Sequence, residues 1–284
     1  MADNCLRAKT RERVGFRAWP VEGVEAMTAS TSHAYPRHTH DVYGIGMMVQ
    51  GGHSSWSDRG RVEAIAGDLI ALNPGEVTDG RSINDGPRAW RMLYMSPVLV
   101  HRIVADMFDG RDHRFMLPPV FSDEVARREV TGVFGAAFDA FAARDEMEAE
   151  TTLIRLIRRW LSHSTIGTRP GGGDAAIHRA RERIDADPAA RVSLADLARE
   201  AGISRYRLIR AFRRELGLTP HAYIVQQRIA LARRLLHAGT DLATTAVSAG
   251  FADQAHLTRC WTRQFGAPPG HYVRSRRRVG VVRW

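Results

Sequence analysis

Lysine is all but missing: Lys9 is the only one in 284 residues, and arginine supplies every other basic charge. Cysteine is nearly as scarce. Cys5 and Cys260 have no partners at the spacings of a disulfide framework or a structural metal site, so two free thiols are expected. No apolar run approaches the roughly 18 residues of a membrane-spanning helix, and no membrane partner is expected. The residues after Met1 are charged and lead into no apolar stretch, so a secretory leader is not expected and a cytoplasmic location is. No glycine-rich phosphate loop follows any of the apolar runs, which removes the commonest nucleotide-binding designs.

The remaining composition, 44% hydrophobic and 25% charged, is that of a globular chain. Its length suits about two domains. The net charge of +10 is unevenly divided: residues 171–284 hold 20 arginines against 9 acids, while residues 1–170 are close to balanced. A basic surplus confined to one region points to a polyanionic partner for that region alone. The region is set off by residues 164–176, where Pro170 and three consecutive glycines read as a linker.

Before the linker, residues 124–143 and 146–163 repeat apolar side chains at helical spacing, among them Val130, Val133, Phe134, Leu153, Ile157 and Trp160. Joined at Arg144-Asp145, they predict a helical hairpin that packs on the preceding domain or forms a dimer seam. Further upstream, residues 43–50, 62–65, 69–73 and 91–95 read as short strands separated by glycine-rich turns, as in a β-sandwich or barrel.

The most informative feature is an internal repeat. Ala198, Ala201 and Gly202 recur 48 residues later as Ala246, Ala249 and Gly250. After one inserted residue, Leu208, Arg210, Phe212, Gly217, Pro220 and Tyr223 recur as Leu257, Arg259, Trp261, Gly266, Pro269 and Tyr272. Each copy reads as a helix-turn-helix. A first helix opens on a capping side chain, Ser193 or Asp241, and a second on Ser204 or Asp253. The second helices bury Leu208 and Phe212, or Leu257, Trp261 and Phe265. Their other faces carry Arg205, Tyr206, Arg210 and Arg213 in one copy and Gln254, His256, Arg259 and Arg263 in the other. These are groups able to bond base edges or phosphates of double-stranded DNA. An apolar-striped helix over residues 222–236 is predicted to join the copies.

Residues 250–261, Gly-Phe-Ala-Asp-Gln-Ala-His-Leu-Thr-Arg-Cys-Trp, together with the tail Phe265-Gly266-Ala267-Pro268-Pro269-Gly270-His271-Tyr272, resemble the signature of AraC/XylS-type transcriptional regulators. Residues 217–223 are similar to the same family's first unit, and the resemblance covers about 100 residues. It implies a DNA-binding domain of seven helices reading two successive major-groove segments. Carried onto matching positions, it implies base contacts from Tyr206, Ile209, Arg210, Gln254, Ala255, Thr258 and Arg259. Ile209 and Ala255 offer no hydrogen bond, only apolar contact with a thymine methyl. Arg205 and His256 are added from the polar faces, and Arg213 and Arg263 are expected on phosphate.

Upstream, residues 36–43 and 67–78 resemble the cupin-type sensor often fused to such a unit. The resemblance includes the His38-x-His40 pair, but Thr78 stands where a metal-binding cupin would offer histidine. No metal, other cofactor or enzymatic activity is therefore expected. Arg37, His38, His40, Tyr43 and Glu76 are expected to line a site for a small polar effector, anionic or zwitterionic and held without a metal, with Arg37 clamping its carboxylate and Trp56 and Trp90 as walls.

The expected architecture is α+β in two domains: a cupin-like barrel (residues 1–120) with a helical hairpin (121–163), a linker (164–176) and an all-α tandem helix-turn-helix domain (177–284). The expected role is a homodimeric, effector-controlled transcriptional activator that also meets RNA polymerase. The rival readings are an architectural DNA-binding protein and a cupin enzyme.

Overall fold

The computed structural model describes residues 13–57, 60–84, 86–108, 115–138, 146–164 and 175–277. Cys5, the Arg144-Asp145 connection and most of the expected linker lie outside them.

Nine strands come first: β1 (Arg13–Ala18), β2 (Val24–Thr31), β3 (Tyr35–Thr39), β4 (Tyr43–Gln50), β5 (Gly52–Ser57), β6 (Gly60–Ile65), β7 (Leu69–Leu72), β8 (Val77–Ser82) and β9 (Arg88–Met95). Helix α1 (Pro97–Met107) and the short β10 (Val120–Phe121) follow, then the hairpin helices α2 (Glu124–Phe138) and α3 (Glu146–Leu161). The strands form two antiparallel sheets, one of six strands in the order β1-β2-β9-β4-β7-β10 and one of four in the order β3-β8-β5-β6.

Strand alternation sorts the six-stranded sheet into two faces. Along β9, Leu93 and Met95 join Ile45, Leu69 and Ala26 in a core beneath α1–α3. Trp90 and Met92, with Met27 and Met48, face the other way. Gly46 on β4 permits this arrangement, since a Cβ there would lie 1.9 Å from the Arg91 carbonyl oxygen and 2.5 Å from Met92 Sδ.

Of the two uses predicted for the hairpin, the structure shows the first. Val130, Val133, Phe134, Leu153, Leu156, Ile157 and Trp160 are buried against the sheet of their own chain. Asp123 ties the layer together. Its carboxylate accepts the Val125 and Ala126 N–H groups at the start of α2 and both Nε–H (2.7 Å) and Nη2–H (2.9 Å) of Arg159 on α3. Hydrogen bonding from Arg159 is the main reason its pKa falls well below the usual carboxylate range.

Seven helices follow: α4 (Ala175–Ala186), α5 (Leu194–Ala201), α6 (Arg205–Leu216), α7 (Pro220–His237), α8 (Leu242–Ser248), α9 (Gln254–Phe265) and α10 (Pro269–Arg277). The capping residues act as the repeat predicts: Ser193, Ser204, Asp241 and Asp253 each accept backbone N–H groups at a helix start. The joining helix α7 has 18 residues, about 27 Å at 1.5 Å per residue, and so extends beyond the predicted 222–236 at both ends. The two copies build different cores. Leu208, Phe212 and Tyr223 pack with α4, whereas Leu257, Trp261 and Tyr272 share a continuous core with Val14, Phe16 and Met27 of the strands. The second unit is thus packed into the sensor.

Candidate functional site

Two sites emerge, an outward polar surface and a cavity behind it. On α6, Arg205, Tyr206, Arg210 and Arg213 are exposed, Ile209 is half-buried, and the inward face holds Leu208, Ala211 and Phe212. Tyr206 is 70% exposed, and its ring lies 5.6 Å from the Arg210 guanidinium carbon. On α9, Gln254, Ala255, Arg259 and Arg263 are exposed. His256 and Thr258 are half-buried and engaged locally. The His256 ring meets Phe251 edge-on at 5.3 Å, and Thr258 Oγ1–H donates to the Gln254 carbonyl at 2.8 Å. The exposed readers cluster toward the N-terminal halves of both helices, where helix-turn-helix proteins meet base edges.

The opposite ends of these helices turn toward the strands. Gln264 Nε2–H donates to the Thr39 carbonyl at 3.3 Å, and Gly266, with φ +71°, closes α9 so near β3 that a Cβ there would lie 2.6 Å from Tyr35 Oη. Arg233 on α7 is buried in the junction. It donates to Glu25 at 2.6 Å, lies 3.8 Å from Asp41, and has the Tyr94 ring 5.6 Å away. Burial alone would lower its pKa, but the charge of Glu25, with Tyr272 and Asp41, holds it raised. His271 Nε2–H donates to the Val14 carbonyl at 2.6 Å, and the Tyr272 ring meets Phe16 edge-on at 4.9 Å.

The cavity lies between the two sheets. Met27, Ile70, Leu72, Trp90, Met92 and Tyr94 come from the larger sheet, Tyr35, His38, His53, Ala64 and Thr78 from the smaller, and Gln264 and Phe265 reach it from α9. About 90 Å³ is open to the centre of a water molecule. A single water needs roughly 10–15 Å³ on that measure, so there is room for a small organic molecule.

Of the five residues predicted to meet an effector, His38, His40 and Glu76 line this cavity. Arg37 and Tyr43 do not. His38 on β3 and His40 just beyond its end both line the cavity, while Arg37 points outward. It lies over Trp56, 5.0 Å from the ring centroid, and 4.0 Å from Asp79. Trp56, 43% exposed, is accordingly no wall of the cavity, while Trp90 is. Tyr43 pairs with Met95 on the helix-covered face of the large sheet, where its hydroxyl meets His101 at 3.2 Å. Glu76 is buried and holds the β7–β8 turn, accepting from Asn73 Nδ2 at 2.9 Å.

Burial lowers the pKa of His38 and, with the charges of His38 and Arg233, takes His40 well below its ordinary value. The cavity is mainly apolar and aromatic, contrary to the expectation of a polar site. Among the described residues, no group of three or more His, Cys, Asp or Glu is placed to hold a metal ion.

Sequence reasoning missed Tyr35, His53, Arg88, Gln264 and Phe265. One signal was available. Extending the strand back from residue 91 places Arg88 in phase with Trp90, Met92 and Tyr94.

Comparisons with known proteins agree with this geometry. Residues 197–275 match the family model described as a helix-turn-helix domain, and residues 21–157 match that of the AraC-like ligand binding domain. A putative AraC-like transcription regulator of Streptomyces lividans is 34% identical over 224 residues, covering 76% of this chain and 70% of that one. The HTH-type transcriptional activator RhaS of Escherichia fergusonii is 24% identical over 246 residues, covering 83% and 86%. Among solved structures, unsaturated fatty acid bound ToxT from Vibrio cholerae shares the fold, with a TM-score of 0.54, 14% identity and coverage of 99% of this chain and 100% of that one. The chain belongs to the AraC-like family of transcription regulators, with a ligand-binding domain ahead of a tandem helix-turn-helix.

Proposed function

We propose that this regulator reads DNA through the outward faces of α6 and α9 and is controlled by a small effector in the intersheet cavity. The observation that carries the proposal is the polarity of the recognition helices. Their N-terminal halves face outward, while the C-terminal end of α9 closes the cavity with Gln264 and Phe265. An occupant of the cavity touches the second reading unit directly, and it shifts that unit's position by as much as its affinity differs between positions.

Arg205, Tyr206, Ile209 and Arg210 of α6, with Gln254, Ala255, His256, Thr258 and Arg259 of α9, form the base-reading set, and Arg213 and Arg263 contact phosphate. His38, His40 and Glu76 belong to the effector site, now joined by Tyr35, Trp90, Met92 and Tyr94. The effector has an apolar body, as the lining requires and as the fatty acid of ToxT supports.

The chain acts as an activator, like its relative RhaS, contacts RNA polymerase on the promoter, works in the cytoplasm and catalyses no reaction. It pairs as a homodimer through the outer face of the hairpin, where Val125, Met147 and Ile154 stay exposed. Protection footprinting on DNA flanking its own gene tests the central claim. Two protected major-groove segments about one helical turn apart are expected, and a uniform, sequence-independent pattern would overturn it. A monomer by sedimentation at micromolar concentration, with and without DNA, would remove the dimer.

A further inference from the structure

Arg88 is a buried charge whose partners among the described residues are all neutral. Its side chain is fully buried, at 0% exposure, yet no carboxylate among the described residues pairs with it. Its partners are neutral. Nη2–H donates to the His33 carbonyl at 2.9 Å and Nε–H donates to His53 Nδ1 at 3.0 Å, while the rings of Tyr35 and Trp90 lie 5.8 and 5.3 Å from its guanidinium carbon. Nη1 has no hydrogen-bond partner. A buried cation is ordinarily matched by an anion, because leaving it unmatched costs several kcal/mol.

The residues around this guanidinium, Tyr35, His53, Gly80 and Trp90, are also cavity wall. The bond from Arg88 fixes the state of His53. Its Nδ1 accepts, so the ring's proton is on Nε2, and burial together with the charge of Arg88 pushes its pKa down to about 3. His53 is therefore a neutral N–H donor backed by a positive charge. Gly80 keeps the spot open, because a Cβ there would lie 2.7 Å from His53 Cε1 and 3.4 Å from Nε2.

The two lining carboxylates are engaged elsewhere. Asp79 accepts the Trp56 N–H at 2.7 Å and lies beside Arg37, and Glu76 accepts from Asn73. His38 Nδ1–H donates to the Pro36 carbonyl at 2.8 Å, which leaves its Nε2 as an acceptor.

From this arrangement we infer that the cavity takes a small carboxylic acid whose carboxylate accepts from His53 Nε2–H in the field of Arg88, with an aromatic or branched apolar body against Met27, Trp90 and Met92. This rests on the cavity being the effector site and adds the chemical class of the occupant. His53 is the contact residue. Arg88 is a positioning residue, which orients the imidazole and supplies the charge that separates an acid from its neutral isostere.

The test uses the full chain and three probes of one shape: 3-phenylpropanoate, 3-phenylpropanamide and 3-phenylpropylamine, titrated by Trp fluorescence and by thermal shift. The acid is expected to bind at least tenfold more tightly than the amide, and the amine most weakly. Arg88→Met is expected to bring the acid-to-amide ratio close to one while amide binding persists, which a merely structural role would not do. His53→Leu should act in the same direction and serves if Arg88→Met does not fold. Equal binding of acid and amide, or preference for the amine, overturns the inference but leaves the cavity as the effector site. Ala64→Phe, which fills the cavity, should abolish binding of all probes. Acid binding that survives it, or no binding by any member of a series from benzoate to octanoate, overturns the cavity reading as well.

Discussion

The two copies of the repeat share a motif but differ in what lies behind them. Gly217 and Gly266 are equivalent residues, each ending a recognition helix in a left-handed turn, and each faces β3. A Cβ on Gly217 would meet the flexible end of Arg37 at 3.0 Å, whereas one on Gly266 would meet the buried Tyr35 hydroxyl at 2.6 Å. Leu216 borders the cleft between the domains, while its counterpart Phe265 borders both that cleft and the intersheet cavity. The first unit packs mainly with α4 and meets the sensor's strands at Val77 alone among buried residues, whereas the second shares its core with many strand residues. The two similar units thus differ in that only the second borders the cavity among the described residues, so effector control is expected to act chiefly on it.

The largest effect bears on whether both copies engage DNA together. With about 5–8 phosphates neutralised, affinity should fall by roughly three to four orders of magnitude between 50 and 200 mM salt. Filter binding or anisotropy giving half that slope would mean that only one unit is engaged. Next, Arg233→Met should remove about 3–5 kcal/mol by taking the guanidinium away from the buried Glu25 carboxylate. Hydrogen exchange should then show α8–α10 losing protection while α5 and α6 keep theirs. Equal loss in both units would erase the contrast between them.

Arg210→Ala and Arg259→Ala, at equivalent positions, should each cost about 1–3 kcal/mol of DNA affinity and relax base preference at separate positions of the site. Arg213→Ala and Arg263→Ala should weaken all sequences alike. The same loss on random duplex for all four would end the division into readers and anchors. The smallest effect is the most specific. Gln264→Ala deletes one hydrogen bond to Thr39, worth about 0.5–1.5 kcal/mol, and should shift the effector concentration for half-maximal DNA response. Glu215→Ala, at the equivalent place in the first unit, should leave that concentration unchanged.

Much of the reader was legible because its signals are local. Caps at Ser193, Ser204, Asp241 and Asp253, the repeat offsets and the spacing of Leu208 with Phe212 all act within a few residues. Four strands were legible for the same reason. β2 and β5 were not, since their residues do not alternate cleanly: β2 is buried on both faces, and β5 carries serines into the interior.

The cavity proposed for the effector was half legible. The His38-x-His40 pair marked a segment that lines it, but Arg37 and Tyr43 were assigned by nearness in sequence, and alternation in a two-faced sheet sends neighbours to opposite sides.

By itself, the sequence determined that this chain has a tandem DNA-reading unit behind a β-rich sensor. Helix periodicity, capping and charge are properties of short segments and survive translation into structure. Only the tertiary structure decided which side chains share the cavity, that Arg88 stands buried beside His53, and that Gln264 and Phe265 close the site. Those contacts join residues up to about two hundred positions apart, and they depend on sheet register, a one-residue change of which turns each side chain to the opposite face.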